Sequence, residues 1–329
     1  MLYNTVEYYT FNGSTVNIVC TDLSKAFDKV NLYGLAVKLM NRNVPKVFVS
    51  VVLDWYSKIF VKVRWNETIS SPRRLRSGVR QGGILSPTLF SIYVNDILIQ
   101  LQASKTGCFV ANKFVGALMY ADDLLLVSIT LTDMRVMIAL VCEELKWLDM
   151  TVNVKKSAMI RVGPRFNASI ARVLLYGAEL PLCTDITYLG VEICAGKKFR
   201  ISIYQRRMKF FRAFNAIYAK MSGSASELVT LNLTRSFCTP ILSYGLECIF
   251  ISKSLAASLD FCWSRVMYKI FNISESACAD SSLFCILWAI YLSHISLIFA
   301  SSGFIIICIV IILVVMILCG TLLMQSNAD

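Results

Sequence analysis

Two adjacent carboxylates stand between two apolar runs near the middle of the chain. Asp122 and Asp123 follow residues 114–119 and precede residues 124–127, a pattern that predicts a β-hairpin with an acidic turn. Like charges held side by side repel each other and lose hydration when strands bury their surroundings. A divalent cation relieves both costs, and hard cations such as Mg²⁺ prefer carboxylate oxygens. The alternative is a solvated hairpin tip, because aspartate is common in turns.

A third carboxylate ends another apolar run much earlier in the chain. Asp22 follows residues 16–20, which predict a buried strand. Between this strand and the acidic hairpin lies a glycine-rich stretch, GVRQGGILSP at 78–87, and the sequence NVKKS follows the hairpin at 153–157. The chain therefore carries several polar or glycine-rich motifs in a fixed order between apolar elements.

Together these motifs resemble the reverse transcriptases of LINE-type (non-LTR) retrotransposons. DLSKAFD at 22–28 is similar to motif A of that family, and the stretch from 78 to 97 is similar to motif B. YADD at 120–123 looks like motif C, NVKKS looks like motif D, and YLGV at 188–191 is similar to the segment after the palm. The resemblance covers about residues 16–195 in order and spacing.

The resemblance implies an α+β fold of the right-hand polymerase type. Its palm is an antiparallel sheet backed by helices, followed here by a partial helical thumb and an apolar C-terminal helix. The implied activity is RNA-directed DNA polymerisation, in which deoxynucleotides (dNTPs) are added to the 3′-hydroxyl of a DNA primer on an RNA template. Two Mg²⁺ ions about 3.5–4 Å apart, or Mn²⁺ in their place, would activate the primer hydroxyl and hold the triphosphate.

The resemblance also implies roles for individual residues. Asp22 and Asp122 would meet and bridge the two metal ions, with Asp123 as a secondary ligand or support. Phe27 would be the steric gate that rejects a ribose 2′-hydroxyl, although a core phenylalanine is the alternative.

Three further residues match nucleotide-binding positions of the family. Gln81 and Gly82 would lie against the incoming nucleotide and template, unless they form a plain glycine-rich turn. Lys156 would meet the leaving pyrophosphate, and a solvated lysine is the alternative. Asp28 follows the family pattern and is expected to be structural.

Basic residues suggest how nucleic acid is held. The formal net charge is +12, which suits a polyanionic partner or simply keeps the protein in solution. One basic group precedes motif B, and a second is interleaved with aromatic residues on an amphipathic helix that could lie along a phosphate backbone or be an ordinary packed helix. The candidate nucleic-acid contacts are Arg73, Arg74, Arg76, Arg80, Arg206, Arg207 and Lys209.

The end of the chain is apolar. Residues 304–324 are long enough for a transmembrane helix, and residues 283–303 predict an apolar helix that could associate with a membrane. A membrane location with the basic body in the cytosol follows from the positive-inside rule. It conflicts with the nucleus or cytoplasm expected for the family.

Four regions follow from these patterns. Residues 1–195 are the predicted palm, with the fingers largely missing because only 21 residues precede Asp22. Residues 196–282 are a basic, thumb-like or connecting region, and the two apolar segments follow. The alternative functions are a truncated, inactive nucleic-acid-binding remnant with a membrane anchor, and a membrane-anchored interaction protein.

Periodicity and breakers predict most of the secondary structure. Helices are expected around 32–40, from Pro45, from Pro87 and over 132–148, and strands over 61–65, 157–162, 173–176 and 186–193. Residues 1–15 have no clear periodicity. The 12 cysteines are scattered and the chain has one histidine, which argues against a structural zinc site.

Overall fold

The computed structural model describes residues 1–246 and 251–272. These residues divide into two compact units, one ending at Ser202 and the other beginning at Ile203. The sequence places a boundary after residue 195, but the observed division follows Ser202, since the last strand before it pairs with the strand preceding it.

A four-stranded antiparallel sheet forms the centre of the first unit, in the order β10-β1-β9-β8. Its strands are β1 (Val16–Asp22), β8 (Ala117–Tyr120), β9 (Asp123–Ser128) and β10 (Ala158–Val162). The predicted acidic hairpin is confirmed as the β8–β9 pair, joined by Ala121 and Asp122. Asp123 belongs to β9 and not to the turn.

One face of this sheet is covered by four helices. They are α2 (Leu32–Asn41), α3 (Lys46–Ser57), α4 (Ser86–Ala103) and α5 (Leu131–Trp147). Val19, Leu124 and Leu126 contribute to the same buried cluster as the helices. The side chain of Asn31 caps α2 by accepting two backbone N–H bonds, and Pro87 stands in the first turn of α4, where a missing N–H costs little. The helical layer agrees with the prediction.

The opposite face packs against a three-stranded sheet and the first helix. These elements are β13 (Asp185–Tyr188), β14 (Val191–Cys194), β15 (Arg200–Ser202) and α1 (Leu2–Phe11). Ile18, Leu125, Ile186 and Ile193 share their buried cluster. The central sheet is therefore buried on both faces.

One prediction about these elements was wrong, and one element was not predicted. Residues 186–193 form two strands and not one, because Leu189 and Gly190 both take positive φ angles, of 48° and 75°, which turn the chain into a hairpin. Residues 1–15 contain helix α1, whose apolar residues are too irregularly spaced for the sequence to indicate it.

Short strand pairs complete the first unit. They are β2 (Phe60–Val61) with β5 (Arg73–Arg74), β3 (Arg64–Trp65) with β4 (Thr68–Ile69), β6 (Phe109–Val110) with β7 (Lys113–Phe114), and β11 (Leu174–Leu175) with β12 (Ala178–Glu179). The predicted strand over 61–65 is interrupted between β2 and β3.

The described part of the second unit is helical. It contains α6 (Tyr204–Met221), α7 (Glu227–Ser243) and α8 (Lys253–Phe271). Phe210 and Phe214 are buried on one side of α6, and the ring of Phe210 meets Trp263 at a centroid distance of 5.8 Å. This apolar side is the one that the helical periodicity indicates.

The predicted membrane location requires correction. Within residues 1–246 and 251–272, no helix combines the length and apolar character that crossing a bilayer requires. The longest ones carry charges: α6 includes Arg206 and Lys209, and α8 includes Arg265. The segments on which the prediction depended, 283–303 and 304–324, lie outside the described residues.

A buried ion network ties α2, α4 and α5 together. The ammonium group of Lys38, whose side chain is 6% exposed, lies 2.9 Å from a Glu144 oxygen and also contacts Asp96. Gln100 donates to the other Glu144 oxygen at 2.6 Å, and the Lys38 ammonium lies 4.3 Å from the centre of the Trp147 ring. Every charged group in this network therefore has a partner, as burial requires.

We expect Glu144→Ala to lower the free energy of unfolding by about 3 kcal/mol, because it leaves a buried ammonium with weaker compensation. The neighbouring Glu143 is exposed, so Glu143→Ala is the matched control and should stay within about 0.5 kcal/mol of the wild type. Urea denaturation followed by circular dichroism measures both. Equal effects of the two substitutions would contradict the structural role of the network.

Candidate active site

Asp22 and Asp123 lie directly opposite each other at one end of the central sheet. They are the last register pair between β1 and β9. Directly opposed residues in an antiparallel pair project to the same face, with Cβ atoms about 4.5–5.5 Å apart. The Asp22 side chain is 25% exposed, so solvent and small solutes can reach it.

Asp122 lies beside this pair in the two-residue turn. Its carbonyl accepts a hydrogen bond of 3.1 Å from the backbone N–H of Leu23, and the Asp22 carbonyl accepts one of 2.8 Å from Asn153. These bonds fix the acidic turn and the motif D segment to the end of β1. Ala121 holds φ at +51°, which is unusual for a residue with a Cβ and stores strain at this turn.

The environment of Asp123 disfavours its ionised form. Burial first, and then the charges of Asp122 and Asp22, raise the pKa of Asp123, while Lys156 opposes that rise. The same field extends into the sheet. Burial followed by the charges of Asp123 and Asp22 raises the pKa of the Cys20 thiol to about 11. The end of the sheet therefore has an excess of negative charge that favours a cation.

Lys156 supplies one cation at this site. Its ammonium group lies 3.2 Å from an Asp22 carboxylate oxygen, although the lysine side chain is 66% exposed. It is carried by a short 3₁₀ turn, Val154–Lys156, that the Asn153 bond anchors to β1. The sequence indicated a role for Lys156 toward phosphate but gave no signal for its pairing with Asp22.

The donor chemistry suits a hard divalent cation, but the arrangement is incomplete. Carboxylate oxygens are the ligands that Mg²⁺ prefers, and Asp22 and Asp123 offer them on one face. In the described parts of the chain, however, no three His, Cys, Asp or Glu side chains converge into a group that could hold a metal ion. The structure thus brings Asp22 opposite Asp123 and leaves Asp122 in the adjoining turn.

Phe27 lies in the 3₁₀ turn Phe27–Lys29, which begins five residues after the end of β1 at Asp22. It is half-buried, and its ring stacks on Phe90 with a centroid distance of 4.7 Å and an interplanar angle of 23°. Phe90 is fully buried in α4. The ring therefore has a fixed orientation and a partly open surface, which suits both a packing role and the predicted gate.

The glycine-rich stretch is docked onto the motif A turn. Gly78 donates a backbone bond of 2.8 Å to Val30, and Val79 donates one of the same length to Phe27. Gly78 has φ of +90°, and a Cβ placed there would come within 2.8 Å of the Asp28 carbonyl oxygen. Gly78 therefore permits a close approach to backbone, not to a ligand.

Beyond this contact, the predicted nucleotide-binding residues face solvent. Gln81 and Gly82 are exposed, and the Gln81 amide donates 3.1 Å to a carboxylate oxygen of Asp28. Gly82 has φ of +79°, and a Cβ there would meet nothing within 4 Å. Asp28 thus orients Gln81. The sequence indicated a structural role for Asp28 but not its contact with Gln81.

The predicted basic contacts divide by exposure. Those before motif B are all exposed: Arg73, Arg74, Arg76 and Arg80. In the second unit Lys209 is exposed, and the Arg207 guanidinium lies 5.7 Å from the centre of the Phe261 ring. Arg206 differs from the expectation. It is 6% exposed and donates to the Tyr244 carbonyl, because it lies on the packed side of α6.

Comparison with known proteins finds similarity to reverse transcriptases and to the polymerases of retrotransposable elements. Residues 6–193 match the family model described as reverse transcriptase (RNA-dependent DNA polymerase). The retrovirus-related Pol polyprotein from type-1 retrotransposable element R2 of Popillia japonica is 26% identical over 286 residues, which are 83% of this chain and 45% of that protein. The RNA-directed DNA polymerase from mobile element jockey of Drosophila melanogaster is 25% identical over 242 residues, 69% of this chain and 25% of that one.

Among solved structures, a telomerase from Candida albicans in complex with a TWJ fragment of telomeric RNA is 13% identical. It matches 90% of this chain and 46% of its own, with a TM-score of 0.48. The chain spans less than half the length of each of these two retrotransposon proteins.

We expect Gly78→Ala to destabilise the protein by about 1–3 kcal/mol more than Gly82→Ala. Both glycines have positive φ, so alanine is strained at either position, but only at Gly78 does the new Cβ collide with backbone. Thermal unfolding of the two variants measures the difference. Equal losses would mean that backbone strain alone, and not the docking of this stretch onto Asp28, sets the cost.

Proposed function

The chain belongs to the reverse transcriptase (RNA-dependent DNA polymerase) family, and from this premise we propose that it adds deoxynucleotides to a primer on an RNA template. The membership confirms the resemblance to non-LTR retrotransposon enzymes that the motifs predicted. The observation that carries the proposal is the pairing of Asp22 with Asp123 at the end of the central sheet, with Asp122 in the adjoining turn. We take this sheet and its helical layer to be the palm.

Asp22, Asp122 and Asp123 would hold the divalent ions that this family generally uses, here two Mg²⁺ or Mn²⁺. When bound, such ions neutralise phosphate charge and lower the pKa of the primer hydroxyl. The carboxylates act by position: β1 and β9 present two of them on one face, and the bond from Leu23 to the Asp122 carbonyl keeps the third at the same end. Burial, and then the charges of Asp122 and Asp22, raise the pKa of Asp123, and a bound cation would offset both effects.

Lys156 would carry positive charge to the leaving pyrophosphate. Its ammonium group already lies 3.2 Å from Asp22 and is mostly exposed, so it can rotate toward a phosphate oxygen without disturbing the core. A lysine in this position balances the carboxylates in the free protein and the phosphates in the substrate complex.

Nucleotide selection would fall to the motif A turn and the stretch docked on it. The Phe27 ring, fixed by Phe90, would exclude a ribose 2′-hydroxyl, and Gln81, held by Asp28, would contact the incoming nucleotide with Gly82 beside it. The exposed arginines before motif B would hold the template. In the second unit, Arg207 and Lys209 are separate candidate contacts to nucleic acid.

One observation favours a second candidate function, nucleic-acid binding without catalysis. No three ligand side chains of the described residues converge on a metal position, and Lys156 occupies the space beside Asp22. A chain that keeps its basic surface but cannot assemble the metal ions would bind RNA without extending a primer. Primer extension separates the two functions.

We expect the full chain to extend an oligo(dT) primer on poly(A) RNA with dTTP and Mg²⁺, and Asp122→Asn to reduce the rate by roughly 10³-fold, since several kcal/mol of charge stabilisation are lost. Asp185→Asn, an exposed carboxylate on β13, is the control and should extend like the wild type. Gel-resolved primer extension measures all three. RNA binding without extension by the wild type would instead support the second function, and extension unaffected by Asp122→Asn would contradict the site.

A further inference from the structure

A long hairpin lies between helix α3 and the motif B stretch in the first unit. Its ladder begins with a 2.9 Å bond from Leu75 to the Ile59 carbonyl, continues through β2–β5, and ends in β3–β4 with a bond from Ser70 to Val63. Every residue from 60 to 74 is exposed. We name residues 59–75 the exposed hairpin.

The exposed hairpin carries aromatic side chains that nothing in the described residues covers. Trp65, beside the turn, is 78% exposed, and Phe60, near the base, is 61% exposed. Two-stranded hairpins are marginally stable alone, and uncovered large apolar side chains on them typically mark a binding surface. The aromatic rings therefore call for a partner with flat apolar faces.

The same hairpin is strongly basic. It contains four basic residues but only one acidic residue, Glu67. The basic residues are Lys62, Arg64, Arg73 and Arg74. None of the four makes an ion pair with any carboxylate in the part of the chain that the structure describes. Arg64 and Arg74 each donate from Nε to a backbone carbonyl, that of Asn66 at 3.2 Å and that of Ser57 at 2.7 Å, but a carbonyl does not neutralise their charge. The positive charge of the hairpin is therefore available to an anionic partner.

The register interleaves these charges with the apolar side chains. Arg74 lies opposite Phe60, Arg73 lies opposite Val61, and Arg64 precedes Trp65 in β3. Because neighbouring residues of a strand project to opposite faces, Arg73 and Arg74 put a guanidinium on each side of the hairpin. A membrane-binding element instead segregates an apolar face from a charged one, so this pattern disfavours a lipid surface.

We propose that the exposed hairpin binds single-stranded RNA, with Trp65 stacked on an unpaired base on one face and Arg64, which projects to the other face of β3, on a phosphate where the strand passes around the hairpin. Stacking requires a base whose face is free, which a duplex does not offer, and every unpaired base has such a face. Identification of that strand as the template rests on the proposed function. The binding itself does not, and it assigns a ligand to Trp65 and Arg64, which the motifs leave without a role.

The test for stacking is binding of the full chain to a fluorescein-labelled, unstructured 12-nucleotide RNA, followed by anisotropy. Trp65→Ala and Trp65→Leu should each weaken binding about 5- to 100-fold, whereas Trp65→Phe should stay within about 3-fold, because only the latter keeps an aromatic face. Tyr33→Ala is the matched control, since Tyr33 is 79% exposed on α2. It should leave the affinity unchanged.

The test for charge is the salt dependence of the same binding. Arg64→Gln should reduce the slope of log affinity against log salt by about 0.7, the value for one phosphate contact on a single strand. Lys113→Gln, an exposed lysine in the separate β6–β7 hairpin, is the control and should leave the slope unchanged.

Four outcomes decide the matter. Loss of binding by Trp65→Ala and Trp65→Leu with rescue by Trp65→Phe supports the proposal. Equal binding by all Trp65 variants, equal weakening by Tyr33→Ala, or a Trp65-dependent affinity that is greater for duplex RNA or phosphatidylserine vesicles than for the single strand overturns it. RNA binding is measured without primer or dNTPs, so a failure of primer extension leaves this result independent.

Discussion

The antiparallel register between β1 and β9 is the constraint on which the rest of the structure depends. It pairs Asp22 with Asp123 and sends Leu124 and Leu126 to the helical layer while Leu125 faces the smaller sheet. Since side chains alternate with a period of two, a slip of one residue would turn Asp123 toward the helical layer and exchange the faces on which Leu124, Leu125 and Leu126 pack. Both faces of the sheet are covered, so the burial of apolar side chains fixes where the carboxylates lie.

That arrangement concentrates negative charge at one end of the sheet, and the surrounding structure tolerates it in two ways. The Lys156 ammonium lies beside Asp22, and backbone bonds from Leu23 and Asn153 hold the acidic turn and the lysine turn against β1. The strained φ of Ala121 and the raised pKa of Asp123 are both costs borne by the fold. The cation proposed for this site would relieve the second of these costs.

Much of the fold and part of the candidate site could be predicted from the sequence, and the physical basis of the prediction differs from one element to another. Apolar runs ending in aspartate predicted β1 and the acidic hairpin, and helical spacing predicted α5, because burial on a sheet or helix face leaves a period in the sequence. The meeting of Asp22 with the hairpin came from the family resemblance, since periodicity carries no information on long-range pairing. Arg206, Gly78 and the turn at Leu189–Gly190 escaped prediction because their roles depend on tertiary packing or on backbone angles. The membrane location was wrong because it depended on hydropathy at 283–324, outside the described residues, whereas the described helices carry charges at amphipathic spacing.

The most direct test of the account is Mn²⁺ binding, measured by electron paramagnetic resonance of the free ion at fixed pH. The account predicts that Asp22→Asn and Asp123→Asn each weaken binding by about 10-fold or more, because each removes an oxygen ligand from the shared face. It also predicts that Lys156→Gln strengthens binding, because the ammonium no longer neutralises Asp22. Equal Mn²⁺ affinity in the wild type and the two aspartate variants would contradict the claim that the β1–β9 register assembles a cation site.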